Sequence, residues 1–161
     1  METIAELIRR HARPGRVEWI GLRPARRAAI LSVEEAAADD AGLVGDRGRG
    51  GPRAVTLIQW EHLAVIGGFL GEPPTDPALL RRNIAVSGIN LLGLKGREIR
   101  VGEALLRVTG PCAPCSRMEE ALGEGGYAAV RGHGGVTAEV VAGGSIRIED
   151  PVMPAEAIEE R

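Results

Sequence analysis

The chain is poor in cysteine, aromatic residues and lysine, and it has no long apolar run. Two cysteines in 161 residues cannot form the disulfide framework of a small secreted domain, nor hold an iron–sulfur cluster alone. Aromatics make up 2% of the sequence, too few for the base-stacking platforms of single-strand binders. The formal net charge is −2, so no basic excess points to nucleic acid or an anionic membrane surface. Lys95 is the single lysine beside 19 arginines, and a pyridoxal phosphate Schiff base could form only there. No apolar segment approaches the length of a membrane span. The N-terminal METIAELIRRHARPG carries Glu2 and Glu6 and lacks the apolar centre of a signal peptide. These absences lead us to expect a cytoplasmic protein acting on a small molecule, with neither nucleic acid nor membrane as partner.

What is present is a core's worth of apolar residues, 44%, and 23 glycines. At this length the chain reads as one domain. Short apolar runs between the glycine clusters read as strands at 16–22, 54–58, 83–89, 97–102, 104–110, 137–141 and 145–150. Gly102-Glu103 and the Gly143-Gly144 pair mark expected hairpin turns. Helical patterns are fewer. Ile4, Leu7, Ile8 and His11 share one helical face, and 60–70 forms a second apolar segment. The run 76–82 opens with Asp76 as N-cap and Pro77 at the first helical position. The run 116–122 starts at Ser116 and stops at Gly123. The acidic end after Pro151, VMPAEAIEER, reads as loosely held. Many short strands with few helices predict a mostly β fold, a closed or partly closed barrel with inserted helices.

Both cysteines, Cys112 and Cys115, fall in TGPCAPCSRMEE (109–120), between a strand pattern and a helix pattern. Four readings compete. Zinc would need two further ligands; His133 could be a third, but no second close pair exists, and His11 and His62 lie in amphipathic helices. A redox dithiol fits the spacing, though such a motif belongs near a βαβ unit. A buried pair is ordinary for free cysteine. A thiol at a rigid, proline-flanked loop before a helix is also suited to nucleophilic attack or metal ligation.

Three other stretches join this one: GLVGDRGRGGPRAVTLIQWEHL (42–63), LLRRNIAVSGINLLGLKG (79–96) and RGHGGVTAEVVAGGSIRIEDPV (131–152). In this order the four motifs resemble the MOSC family, the molybdenum-cofactor sulfurase C-terminal domain. The similarity runs from about residue 16 to 153 and makes 1–161 a single MOSC-like domain, with an N-terminal helix in 1–15 and an acidic tail over 154–161. The resemblance implies a barrel-like β fold and a pyranopterin molybdenum cofactor. It implies that Cys115 is the key residue, binding molybdenum or carrying a persulfide, with Cys112 secondary. Soft thiolate suits that metal. Arg81, Arg82 and Asn83 resemble the segment that grips the cofactor, whose phosphate arginine can bind through two parallel hydrogen bonds. Asp46, beside Gly45, is either a turn residue or part of the site. His133, between glycines, is either a surface loop residue or a proton donor near neutral pH. Glu149-Asp150 stands where many relatives have Gly-Asp. The aminotransferase-like domain of the full sulfurase is missing, and with it any expectation of pyridoxal phosphate.

The sequence thus predicts an oxidoreductase that reduces N-hydroxylated substrates with a Cys115-ligated molybdenum and takes electrons from a separate reductase. The alternatives are a sulfur or cofactor carrier supplied by a donor protein, and a dithiol oxidoreductase using Cys112 and Cys115.

Overall fold

The computed structural model describes residues 1–48 and 50–155. Eleven strands are seen among them: β1 (Gly15–Leu22), β2 (Leu31–Val33), β3 (Glu35–Asp39), β4 (Gly42–Leu43), β5 (Val55–Gln59), β6 (Ile84–Ser87), β7 (Glu98–Val101), β8 (Ala104–Pro111), β9 (Val136–Ala142), β10 (Gly144–Arg147) and β11 (Pro151–Pro154). Four α-helices accompany them: α1 (Ile4–Ile8), α2 (Trp60–Leu70), α3 (Arg117–Leu122) and α4 (Gly126–Val130). The strands pair in the order β11-β7-β8-β9-β5-β6-β1, and β11 returns to β1. This closes a seven-strand barrel and leaves it no free edge. β2 hangs on β1, and β10-β3-β4 form a second, small sheet.

The barrel interior is filled by aliphatic residues that alternate along each strand, such as Leu106 and Val108 on β8. Ala36, Ala38, Leu43 and Ile146 of the small sheet belong to the same cluster, so that sheet plugs one side of the barrel. β5 is buried along its whole length, because α2, α3 and α4 cover its outer face. There Ile58 and Ala85 meet Leu63, Ile66, Met118, Ala129 and Val130.

Several expectations need correction. No hairpin forms at Gly143-Gly144. β9 pairs with β5 and β8, and the chain then crosses to pair β10 with β3. These glycines permit close backbone approach instead: a Cβ would stand 2.4 Å from the Ala38 carbonyl oxygen at Gly143 and 2.5 Å from that of Glu103 at Gly144. The run 76–82 is a 3-10 turn, Pro77–Leu80, although Asp76 caps it as expected, accepting from the Ala78 N–H at 2.9 Å. The chain after Pro151 is no loose end as far as Pro154, since β11 closes the barrel through Val152, which is fully buried. The acidic residues 156–161 lie outside the described residues. α1 spans five residues under a Thr3–Glu6 capping box, and its Ile4, Leu7 and Ile8 are exposed.

Candidate functional site

Register across the barrel brings the sequence motifs together. Ile20 of β1 faces Ile84 of β6, Ile84 pairs with Leu57 of β5, Leu57 with Val136 of β9, and Val136 with Pro111 of β8. Five strands therefore share one level. The segments that flank it, Arg81–Asn83, His133–Gly135 and Cys112–Ser116, become neighbours although far apart in sequence.

Arg82 is at the centre. It is 6% exposed. Its Nε donates to the Gly134 carbonyl at 2.8 Å and its Nη1 to the Leu80 carbonyl at 3.0 Å. Its Nη2 is buried with no hydrogen-bond partner. Burial pushes the guanidinium below its ordinary pKa, the nearby Arg23 and Arg53 push the same way, and Cys112 and Cys115 are the groups that oppose the shift. Neither of its acceptors is a carboxylate, so a buried cation here is left with carbonyl dipoles and two thiols, an expensive arrangement unless an anion completes it.

The cysteine loop lies against the same backbone. The Cys112 N–H donates to the Gly135 carbonyl at 2.8 Å. Cys112 is buried and Cys115 is exposed. The glycines are required by this approach: a Cβ on Gly134 would sit 2.2 Å from the Cys112 carbonyl oxygen and 3.2 Å from Nη2 of Arg82, and one on Gly135 would sit 1.9 Å from the Leu57 carbonyl oxygen. Gly135 also has φ +85°, a left-handed conformation open to glycine at little cost.

Arg81 also adopts a left-handed conformation, φ +56°, which turns the chain between successive arginines. Its guanidinium donates to the carbonyls of Ala28 and Ala25, stapling the loop after β1. Asn83 is fully buried. Its Nδ2 donates to the Gly21 carbonyl and to Oδ1 of Asp46, both at 3.0 Å, while its Oδ1 accepts from the Thr56 N–H at 3.1 Å and hydroxyl at 3.3 Å. The Asp46 side chain is fully buried and takes five donors: the N–H, Nε and Nη2 of Arg23, the Gly48 N–H and the Asn83 amide. Burial alone would raise its pKa. The Arg23 hydrogen bonds and charge, with help from Asn83, outweigh that and hold the carboxyl below its ordinary value.

His133 stands on the other flank. Its Nδ1 lies 3.4 Å from Nδ1 of His62 on α2, with the rings perpendicular and their centroids 4.8 Å apart. Phe69 packs beside it at 5.9 Å. One ring must donate and the other accept. Burial, then His133, lower the His62 pKa against the opposing charge of Glu61. Arg23 and His62 escaped sequence reasoning. Arg23 ends a strand with no motif around it, and His62 fitted a helix face; only the fold pairs them with Asp46 and His133. Among the described residues no group of three or more His, Cys, Asp and Glu side chains is placed to hold a metal ion, so a metal here would need ligands brought by a cofactor.

A seven-strand barrel with a glycine-backed cysteine loop around a buried arginine defines a class of small β-barrel proteins. Its sequence profile, that of the MOSC domain, matches residues 44–153, and the chain belongs to the MOSC family, which is associated with the molybdenum cofactor. The fold is similar to that of the YuaD protein from Bacillus subtilis, with TM-score 0.75 and 20% identity over 87% of this chain and 94% of that one. It is also similar to YiiM from Geobacillus stearothermophilus, with TM-score 0.72 and 19% identity over 88% and 75% of the two chains. For YiiM from Escherichia coli the TM-score is 0.66, with 23% identity over 87% and 69%. Among curated proteins, none matches the sequence significantly. No helix among the described residues is long and apolar enough to cross a membrane.

Proposed function

We propose that this protein holds a phosphate-bearing pyranopterin molybdenum cofactor against the Cys112–Ser116 loop and reduces N-hydroxylated compounds, with electrons from a separate reductase. The observation that carries the reading is the buried Nη2 of Arg82, a charged donor with no partner, set between the cysteine loop and Gly134. The donor set fits the group. Guanidinium matches phosphate and oxo-anion geometry, thiolate matches a soft metal, and the glycine backbone leaves room for a flat ligand.

When bound, the cofactor supplies two-electron chemistry at molybdenum; the net change is an N-hydroxyl compound plus two electrons and two protons giving the amine and water. The residues of the chain have separate tasks. Arg82 neutralises the anionic part of the cofactor. Cys115, exposed, offers its thiolate as the metal ligand. Asp46 and Asn83 have every polar side-chain atom engaged within the protein, so they act as positioning residues that fix Arg23 and the start of β6. Arg81 holds the loop after β1. His133 delivers a proton and His62 replaces it through the facing Nδ1 atoms, a suitable couple near neutral pH.

Exposure of Cys115 also favours a second reading, a sulfur carrier whose persulfide a donor protein could reach. Activity separates the readings. Under the main reading, Cys115→Ser abolishes reduction of a benzamidoxime-type substrate by protein reconstituted with a chemical reductant, whereas Cys112→Ser retains turnover. Equal loss in both variants would move the assignment to dithiol chemistry. Wild-type protein that carries cofactor and never turns over would leave the carrier.

A further inference from the structure

The site carries more positive charge than one phosphate monoester requires. Arg81 and Arg82 feel Arg23, Arg47, Arg53 and Arg117 most strongly, against the single carboxylate of Asp46. Six guanidinium groups against one carboxylate leave +5 in a chain whose net charge is −2.

The fold accounts for the gathering. The Arg47 N–H donates to the Arg23 carbonyl at 2.8 Å. α3, which begins with Arg117, packs on the turn Pro77–Leu80 that leads into Arg81. The turn Gly51–Arg53 packs on β9, and the Thr109 hydroxyl donates to the Pro52 carbonyl. The one carboxylate is saturated by Arg23, Asn83 and Gly48 and offers nothing to the others. Like charges gathered around a desolvated arginine repel one another and raise the cost of the folded state. The unpartnered Nη2 of Arg82 marks where the neutralising group enters, and Arg53, exposed, and Arg117, half-buried, lie farther out.

We infer that the ligand of this site carries a pyrophosphate, one phosphate bound by Arg82 and the next by Arg53 and Arg117. This rests on the cofactor reading above and extends it: the ligand is a nucleotide-extended form of the cofactor or a free nucleoside diphosphate, which share that group.

The test is calorimetric titration of cofactor-free protein with phosphate, pyrophosphate and ADP at fixed ionic strength. Pyrophosphate should bind at least about tenfold more tightly than phosphate, as one further charge-assisted contact predicts. Arg53→Gln with Arg117→Gln should bring that ratio close to one and leave phosphate binding unchanged, Arg82→Met should lose both ligands, and Arg16→Gln, remote from the site, should change neither. Equal affinities in wild type, or a ratio the double variant does not move, would overturn the pyrophosphate assignment and leave the cofactor reading standing. Absence of binding by any of the three probes would overturn both. Nucleotide content of cofactor-loaded protein separates the sources. A nucleoside monophosphate released by acid in equal amount with molybdenum identifies the extended cofactor. ADP binding as tight as pyrophosphate, with no nucleotide in the loaded protein, identifies the free diphosphate.

Discussion

Asp46 shows how much of this site is built to hold other residues. Five donors converge on a carboxylate with no exposure, and they tie the loop after β1, the loop after β4 and the start of β6 into one piece. Its folded pKa lies below the ordinary 3.8, so its contribution is complete above that pH and fades as pH falls through the lowered value. Asp46→Ala should cost roughly 3 kcal/mol at pH 7, because it strands the Arg23 guanidinium and the Asn83 amide in a buried setting. The difference from wild type in urea unfolding should shrink below about pH 3.8. Sequence reading placed Asp46 at the site but could not separate a turn residue from a functional one, since its partners, Arg23 and Asn83, are 23 and 37 residues away. Arg82 and Arg81 are adjacent and alike in sequence, yet the left-handed turn at Arg81 sends one guanidinium to carbonyls of the loop after β1 and leaves the other buried with a donor unused.

At the scale of elements, legibility followed local pattern. α2 spans the run expected of it, 60–70, and β7 and β8 join through the two-residue turn Gly102-Glu103 as expected, with Val101 opposite Ala104. The small sheet escaped because β3 is Glu-Ala-Ala-Ala-Asp, an alanine-rich segment with weak strand preference that forms by packing Ala36 and Ala38 against the barrel. α4 escaped because it is five residues long and enters from Gly125. The contact between α2 and the loop after α4 has a pH signature. The His62 pKa is lowered from 6.5 by burial and by His133. The folded state therefore resists its protonation, and stability falls as pH drops below about 6.5. His62→Gln should flatten the decline in Tm between pH 7 and 5, with Glu61 and His133 left as the titrating neighbours. An unchanged slope would show that the pair is not the group responsible.

At the scale of the molecule, closure is what the sequence hides. The strand count was legible, and a barrel followed from it, but β11 carries prolines at both ends and pairs with β1 across nearly the whole chain, Gly15 opposite Val152. No local signal announces such a pairing. Closure in turn sets the shared register of β1, β6, β5, β9 and β8, and that register assembles the cysteine loop, the double arginine and the glycine loop into one site. The four motifs were readable in order because each surrounds this level; their geometry was not, because it depends on every strand between them.

Molybdenum and pterin content tests the account most directly. Wild type, Cys115→Ser and Arg82→Met would be purified from a host that makes the cofactor. Arg82→Met deprives two carbonyls of donors, about 1 kcal/mol each, and removes a desolvated charge that costs several, so the cofactor-free variant should fold at least as stably as wild type. Near-equimolar molybdenum and pterin in wild type, with the metal lost from Cys115→Ser and both lost from a folded Arg82→Met, is the predicted result. Wild type free of both, or a folded Arg82→Met loaded to the same level, would contradict it.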